Sequence, residues 1–496
     1  STAVILGQQP NKAFGVMIGK TTVNNVNWYQ IDFDSGVDGW INVYSETIVN
    51  ARGAFLAEFR AYSNSDGSDN PSLPKPVLKA TNANIPALIN PLKTNDWRFI
   101  DLEFQGAPGE AGFRESFGSA GNETYHTLLL RAKFPESTSR AQITIEGVFL
   151  FIVDSDFGGA DYHTMSGAIK KTAFLGNRID TGTSTLLTGG MRMSWSGNPA
   201  IPTGKFIVSN NTFRDYSDDG VYVLRLYPGP TIISDNIIEG YNMGIMMNGC
   251  DLCGPGEQLL LVERNIFTRD HTIRQEQPAP AISVSSQDHA VIKNNHFHNY
   301  VYGIQFLTRR PNDIPGNVAG PNGVVDIYNN TYYFTRTSGN SVGSFGGFID
   351  QIENTREVRI KNNVYYRPNQ SSNALGIIEV FTPNIGLLEI SNNLWYAPSP
   401  PTPFYVDGQP YTFTQWQNQF GHDSGTFCDT DSDGECDDYN LNFLETANLS
   451  SSNFLKLSDT LNRDVGASVP VASDFALNDR PQDPGYDIGA YEYDSG

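Results

Sequence analysis

The chain lacks any run of about 20 consecutive apolar residues, so we expect no helix that crosses a membrane. Basic residues are also scarce, with 33 Lys and Arg against 54 Asp and Glu, and the resulting net charge of -21 disfavours binding to nucleic acid or anionic lipid. The chain opens at Ser1 without a methionine or an apolar leader. This opening is typical of a secreted, extracellular protein whose targeting peptide has been removed.

Cysteine is rare, with four residues in two close pairs, Cys250 with Cys253 and Cys428 with Cys436. Either pair can form a local disulfide in an exported protein. The alternative for Cys250 and Cys253 is half of a zinc site, although no second pair or histidine cluster completes it.

An asparagine recurs through the middle of the chain, each time two residues before a bulky apolar residue. The eight positions are Asn177, Asn211, Asn236, Asn265, Asn295, Asn330, Asn363 and Asn393. The gaps of 34, 25, 29, 30, 35, 33 and 30 residues are too irregular for heptads, and the flanking Val, Ile, Phe and Tyr favour strands. The pattern predicts stacked coils whose asparagines hydrogen-bond from rung to rung at a tight, left-handed corner.

Each coil holds a second apolar strand, which is often opened by glycine. Its alternation predicts an inward set composed of Met191, Val221, Ile245, Ile282 and Ile304. The outward stripe then contains Arg192, Tyr222, Met246, Ser283 and Gln305, and Asp350 and Glu379 extend it. A neighbouring outward stripe includes Asn248 and Ser285.

These asparagine coils resemble the right-handed parallel β-helix repeats of secreted bacterial carbohydrate-active proteins. The sequence RPQDPGYDIGAYEY at residues 480–493 resembles the closing segment common in that superfamily. The resemblance implies an all-β fold, a single-domain right-handed parallel β-helix (a solenoid), in a superfamily that includes lyases, hydrolases, epimerases and adhesins. We expect a cap or first strands at residues 1–60, the β-helix at 61–400, and a C-terminal extension that packs back on it at 401–496.

The sequence CDTDSDGECDD places carboxylates at alternating positions near the C-terminus. Oxygens spaced in this way converge on one hard cation, and Gly434 permits the sharp turn between them. The loop resembles those of EF-hand, dockerin and thrombospondin type 3 repeats, but Asn440 stands where the EF-hand has its last acidic ligand. It predicts a structural Ca²⁺, and the alternative is a solvated acidic loop. The predicted ligands are Asp429, Asp431, Asp433 and Asp437.

Positive charge concentrates between residues 264 and 310, where six basic residues face three acidic ones and four of the seven histidines lie. Such a patch suits a carboxylated or sulfated polymer, because Arg pairs with these groups in bidentate geometry. The alternative is a chance cluster spread over different faces. We expect an anionic polysaccharide as the partner of a monomeric protein. The predicted substrate contacts are Arg192, Tyr222, Asn248, Ser283, Gln305, Arg309 and Arg310.

Two cleavage chemistries fit the residues expected at one corner of the coils. In β-elimination a cation neutralises a uronate and a base then removes its C5 proton. The candidates are Arg225, Arg274 and Arg309 as neutralisers and His271 or Tyr241 as the base. Hydrolysis requires two carboxyl groups instead. The candidates are Asp218, Asp219 and Glu276, although the two aspartates also suit an ordinary turn.

The sequence therefore predicts a secreted polysaccharide-degrading enzyme, in the first place a lyase that cleaves an anionic glycan by β-elimination. The alternative is a glycoside hydrolase that acts on a sulfated galactan or another acidic glycan. A second alternative is a non-catalytic adhesin that binds glycans.

Overall fold

The structure is a computed structural model, and it describes the chain in segments separated by residues left undescribed. The described residues are 15–23, 26–33, 39–42, 57–60, 77–79, 87–89, 95–105, 111–114, 125–135, 141–159, 163–180, 189–194, 206–216, 221–224, 229–240, 243–248, 258–269, 279–285, 287–306, 322–335, 346–353, 355–368, 375–381, 386–398, 402–458 and 460–493. Two compact units divide the chain. The first is Ser1–Thr188 with Met193–Pro202, and the second is Gly189–Arg192 with Thr203–Gly496.

The first unit is built from short strands. They are β1 (Gly15–Val23), β2 (Val26–Phe33), β3 (Gly39–Asn42), β4 (Ala57–Arg60), β5 (Val77–Lys79), β6 (Ala87–Ile89), β7 (Asn95–Ile100), β8 (Glu103–Gln105), β9 (Ala111–Arg114), β10 (Tyr125–Leu130), β11 (Lys133–Phe134), β12 (Ala141–Val153), β13 (Asp156–Phe157), β14 (His163–Leu175) and β15 (Arg178–Asp180). Strands β1 to β3 form an antiparallel sheet, whereas β4 to β15 pair only in parallel register in the described pairings. Parallel coils thus begin well before residue 100, as the sequence predicts.

The remaining strands follow β16 (Gly189–Ser194). They are β17 (Phe206–Ser209), β18 (Thr212–Tyr216), β19 (Val221–Leu224), β20 (Gly229–Ser234), β21 (Ile237–Gly240), β22 (Ile245–Asn248), β23 (Gln258–Glu263), β24 (Ile266–Thr268), β25 (Pro280–Ser285), β26 (His289–Lys293), β27 (His296–His298), β28 (Tyr302–Phe306), β29 (Asn322–Tyr328), β30 (Thr331–Tyr333), β31 (Gly347–Ile352), β32 (Thr355–Lys361), β33 (Val364–Tyr366), β34 (Ile378–Val380), β35 (Leu388–Ser391), β36 (Leu394–Tyr396), β37 (Phe404–Val406) and β38 (Gln409–Tyr411). A helix, α1 (Phe413–Phe420), follows them behind a Thr412 capping box. No helix in the described part of the chain is long and apolar enough to cross a membrane.

Each coil of the second unit contributes one strand to each of three parallel sheets. The first sheet contains β17, β20, β23, β26, β29, β32 and β35. The second contains β18, β21, β24, β27, β30, β33 and β36. The third contains β19, β22, β25, β28, β31, β34 and β37. Because every strand pairs with its counterpart one coil away, the unit is a parallel β-helix.

Asparagine pairs form the corner between the first and second sheets. The left-handed residue at this corner is the one before the recurring asparagine, for example Asn294 with φ 54° and Asn329 with φ 54°. The expectation that the recurring asparagine itself is left-handed is therefore wrong. In a sequence such as Asn294–Asn295, the first residue makes the turn and the second supplies its amide to the neighbouring coil.

The recurring asparagines are hydrogen-bonded from coil to coil. The Nδ2 atom of each donates to the Oδ1 atom of the next, over 2.8–3.1 Å, from Asn211 to Asn393. The same Oδ1 atom also accepts the preceding asparagine's backbone N–H. These side chains are at most 1% exposed, so each amide satisfies backbone groups that water does not reach.

The residues two positions after the asparagines fill the core, as predicted. Phe267, Phe297, Tyr332 and Trp395 are fully buried, and the rings of Phe267 and Phe297 stack at 5.2 Å. Four of the predicted inward residues of the second strands are also fully buried: Met191, Ile245, Ile282 and Ile304. The fifth, Val221, lies on β19, but its side chain is outside the described residues.

The C-terminal segment is bound to the corner by the first asparagine of four pairs. Asn392 and Asn362 donate to the carbonyls of Val465 and Ala467. Asn294 and Asn329 donate to carbonyls of Ser473, Asp487 and Gly489. In each of these four pairs, the second asparagine therefore belongs to the ladder and the first asparagine binds the C-terminal segment.

Replacing a ladder asparagine should destabilise the protein strongly. In Asn295→Ala, the backbone N–H of Asn265 and the carbonyl of Val262 lose their partners inside the core. We expect the free energy of unfolding to fall by about 3 kcal/mol. Denaturant unfolding measures this, with Asn418→Ala on the exposed face of α1 as the control. Equal midpoints for the two variants would contradict the role of the ladder.

His296 is fully buried between β27 and the C-terminal segment, against the rings of Phe475 and Tyr491. Neither ring nitrogen has a hydrogen-bond partner, and burial lowers the imidazole pKa to about 3. The folded state therefore holds a neutral imidazole with unsatisfied polar atoms.

Replacing this imidazole by a phenyl ring should stabilise the protein. We expect His296→Phe to raise the melting temperature, because it removes two unpaired buried nitrogens and keeps the ring. The difference in melting temperature between the variant and the wild type should grow as pH falls below about 6.5. Below this pH His296 is protonated in the unfolded wild type but stays neutral in the folded state. Thermal melts across about pH 4–8 measure this difference. A melting temperature of His296→Phe below that of the wild type at every pH would refute the interpretation.

Candidate functional site

The third sheet carries the predicted outward stripe in register. Tyr222 pairs with Met246, and Met246 pairs with Ser283. Ser283 then pairs with Gln305, and Gln305 with Asp350. The five positions of the predicted stripe are therefore register partners on consecutive coils.

A β-bulge interrupts the third sheet at Asp350. Ile349 pairs with Ile378 and Ile352 pairs with Val380, so two residues of β31 face Glu379 alone. The extra residue, Gln351, has φ 55°. Bulges of this kind re-aim a neighbouring side chain and are frequent beside active sites.

Asp350 and Glu379 form an acidic pair at this bulge. Asp350 is 6% exposed, and burial raises its pKa to about 7. Gln305 opposes this rise by donating Nε2–H to Oδ2 of Asp350 over 2.6 Å. Glu379, within hydrogen-bonding reach, and Glu353 raise the pKa further. At neutral pH the pair therefore holds a proton that it can give or take.

Tyr302, which feels the charges of Asp350 and Glu379, and Ser283, on the stripe itself, are further polar residues of this sheet. Burial, with the charges of Asp350 and Glu379, raises the pKa of the Tyr302 phenol to about 12, so it stays a hydrogen-bond donor. Ser283 is fully buried and its hydroxyl has no hydrogen-bond partner. A buried hydroxyl without a partner is a group that a bound ligand can satisfy.

All seven predicted catalytic residues lie outside the described residues, and their predicted roles stay predictions. They are Asp218, Asp219, Arg225, Tyr241, His271, Arg274 and Glu276, together with the substrate contacts Arg309 and Arg310. Cys250 and Cys253 lie outside them as well. Arg192, Tyr222 and Asn248 are described by strand position alone, whereas Ser283 and Gln305 are described in full.

The described Arg and Lys residues of the window between positions 264 and 310 contact acidic or aromatic side chains of the protein. Arg264 pairs with Asp235 at 2.7 Å, and Lys293 pairs with Glu263 at 3.1 Å. Arg269 is 2% exposed and lies over the ring of Tyr300. Arg264 and Lys293 lie on neighbouring coils at the same corner, where both also contact Glu263, so each of these described cations is paired with a carboxylate.

A histidine from the same window joins a charged network on the first sheet. His289 Nε2 lies 2.8 Å from Oδ2 of Asp326, a residue that is 4% exposed. The other carboxylate oxygen accepts from the Tyr328 hydroxyl at 2.8 Å and from Arg359 at 3.2 Å. The network therefore satisfies a buried carboxylate.

The acidic loop near the C-terminus is closed by a Cys428–Cys436 disulfide. Six of its acidic residues form two groups of three, and within each group the carboxylate oxygens lie within 4.8 Å of one another. One group is Asp429, Asp431 and Asp438, and the other is Asp433, Glu435 and Asp437. The four predicted ligands are thus divided between the groups, and the sequence pattern missed Asp438 and Glu435. Burial and neighbouring carboxylates raise the pKa of Asp437 and Glu435, so a cation would relieve repulsion here.

The sequence placed Asp350 and Glu379 on the stripe without giving them a role. The signal that could have marked them is the presence of carboxylates at outward positions of two consecutive coils. Their mutual contact depends on the bulge, which no feature of the sequence pattern announces.

One family model agrees with the architecture of the second unit. The family described as the right-handed β-helix region matches residues 176–319. Among solved structures, the crystal structure of pectate lyase Pel9A is similar with a TM-score of 0.42 and 12% identity, covering 88% of this chain and 98% of that chain. A search of curated proteins finds no match. Residues 176–319 match the right-handed β-helix region, and the described strands of the second unit form a parallel β-helix.

Proposed function

We propose that the chain is a secreted enzyme that cleaves a polysaccharide on the outward stripe of the third sheet. The observation that carries the proposal is the Asp350–Glu379 pair, a carboxyl with a pKa of about 7 beside a second carboxyl at a β-bulge. A carboxyl tuned to neutrality exchanges protons at the pH where such enzymes work. The Cys428–Cys436 disulfide suits an oxidising, extracellular compartment.

Glycoside hydrolysis is the reaction that this pair supports best. Neutral Asp350 can protonate the glycosidic oxygen. Glu379 raises the pKa of Asp350 and so favours its protonated form near neutral pH. The carboxylate that activates water on the other side of the sugar remains a prediction from the sequence, with Asp218, Asp219 and Glu276 as candidates. Since Glu379 and Glu353 repel a negative group, we expect any sulfate or carboxylate of the glycan to lie away from the scissile bond.

β-Elimination on an anionic glycan is the second candidate. The observation in its favour is the excess of six basic over three acidic residues between 264 and 310. Arg225, Arg274 and Arg309 would neutralise the uronate, and His271 or Tyr241 would take the C5 proton. A protonated Asp350 would serve this chemistry too, by donating to the leaving oxygen.

The acid–base role of the pair predicts a specific loss of activity. We expect Asp350→Asn and Glu379→Gln to lower kcat by about 10²–10⁴-fold, with little change in fold. Activity of the wild type should decline as pH rises through about 7, because Asp350 then loses the proton it must donate. In Glu379→Gln this decline should move to lower pH, because the neighbouring charge that raises the pKa is gone.

The assay is a digest of alginate, pectate, ulvan, glycosaminoglycans, carrageenans and fucoidan, with Asp479→Asn at an exposed turn as the matched control. Reducing ends without ultraviolet absorbance from an unsaturated product indicate hydrolysis, and both signals together indicate a lyase. Full activity in Asp350→Asn would refute the proposed site. Binding without cleavage across the panel would favour the non-catalytic adhesin.

We also propose that the disulfide-closed loop binds Ca²⁺ in a structural role. All donors in the two groups are carboxylates, the ligand type that hard cations prefer. The ion would hold this loop of the C-terminal extension in one conformation. It would take no part in proton transfer on the third sheet.

Calcium should therefore stabilise the protein without being required at the cleavage step. We expect Ca²⁺ to raise the melting temperature and a chelator to lower it, with a smaller calcium effect in Asp431→Asn and Asp433→Asn, one from each group. Terbium luminescence sensitised by nearby Tyr439 reports binding directly. An unchanged melting temperature together with absent terbium emission would remove the calcium assignment, and Asp479→Asn serves as the control.

A further inference from the structure

Gln305 makes the one side-chain hydrogen bond to Asp350 whose atoms and length are defined in the described part of the chain. The two residues are register partners on β28 and β31, and Nε2 of Gln305 lies 2.6 Å from Oδ2 of Asp350. Asp350 is 6% exposed, so water competes little for this contact. The contact is therefore a fixed feature of the site rather than an exchangeable surface bond.

We propose that Gln305 is a positioning residue that keeps Oδ2 of Asp350 as a hydrogen-bond acceptor and so leaves the transferable proton of the Asp350–Glu379 pair on Oδ1. This inference rests on the function proposed above. The role in substrate contact that the sequence predicts for Gln305 stays a prediction beside it.

The chemistry of the amide explains the preference. An amide N–H can only donate, and the unprotonated oxygen of a carboxyl group is a better acceptor than its hydroxyl oxygen. The proton is therefore directed to the opposite oxygen whenever Asp350 is neutral. Without the amide, the proton would be shared between two orientations, of which one points away from the reacting bond.

The surroundings of Gln305 leave its amide available for this role. Ser283 is its partner on the preceding strand, and the Ser283 hydroxyl makes no hydrogen bond. Among the described residues, the Ser283 hydroxyl therefore does not compete with Asp350 for the amide. On the other side, the bulge at Gln351 brings two residues of β31 opposite Glu379. Asp350 thus lies between a donor on one strand and a carboxyl on the next.

The same hydrogen bond stabilises the ionised carboxylate and holds the pKa of Asp350 down against burial. Gln305 thus gives the proton a direction and also keeps it labile. Removing the donor should weaken both properties, whereas a merely structural glutamine would change neither.

The test is a pH titration of the Asp350 carboxyl stretch by difference infrared spectroscopy, with Asp350→Asn identifying the band. In Gln305→Met, which keeps the length and removes the donor, we expect the pKa of Asp350 to rise by about one pH unit. The alkaline limb of the pH–activity profile should move in the same direction, with kcat reduced more than KM is raised. Gln305→Leu provides a second variant if Gln305→Met folds poorly.

Gln409→Met, at an exposed position of β38, is the matched control and should leave both the titration and the profile unchanged. An unaltered Asp350 pKa in folded Gln305→Met would overturn the inference, even if Asp350-dependent cleavage is found. A raised pKa in a protein that cleaves no glycan would instead sink the proposed function and leave the hydrogen-bonding role of Gln305 intact.

Discussion

The asparagine ladder is the interaction on which the rest of the second unit depends. Each buried amide must find partners, and it finds them only when the next coil is in one register. The three sheets share that register, because each coil is continuous and this corner joins its first-sheet strand to its second-sheet strand. Gaps of 25–35 residues between asparagines change the loops and leave this corner unaltered. A uniform frame can therefore carry loops of very different length.

The candidate site lies where the third sheet departs from that uniformity. The bulge at Gln351 places two residues of β31, Asp350 and Gln351, opposite Glu379. Burial raises the pKa of Asp350 to about 7. Such an arrangement is costly, since two acidic groups share a poorly hydrated space. The regular coils on either side offset the cost and keep the carboxyls in place. A rigid frame with one local irregularity is a suitable setting for acid–base chemistry.

The fold was readable from the sequence because its cause repeats: between residues 177 and 393, an asparagine followed two residues later by an apolar residue marks the same corner of successive coils. The site was less readable, because its causes do not repeat. The contact of Asp350 with Glu379 occurs at a bulge, and Arg264 and Lys293 are already paired with Asp235 and Glu263. In the acidic loop, alternate spacing predicted one group of ligands. The disulfide-closed turn instead brings Asp438 beside Asp429.

The C-terminal segment has a consequence for the order in which the protein is made. Asn294, Asn329, Asn362 and Asn392 belong to coils that leave the ribosome well before the carbonyls to which they donate. During synthesis these coils can stack, but their outer amides have only water as a partner. Synthesis of the later segment then connects four coils at once. A solenoid that would otherwise fray one coil at a time is thereby stabilised cooperatively by a segment that follows its coils in the chain.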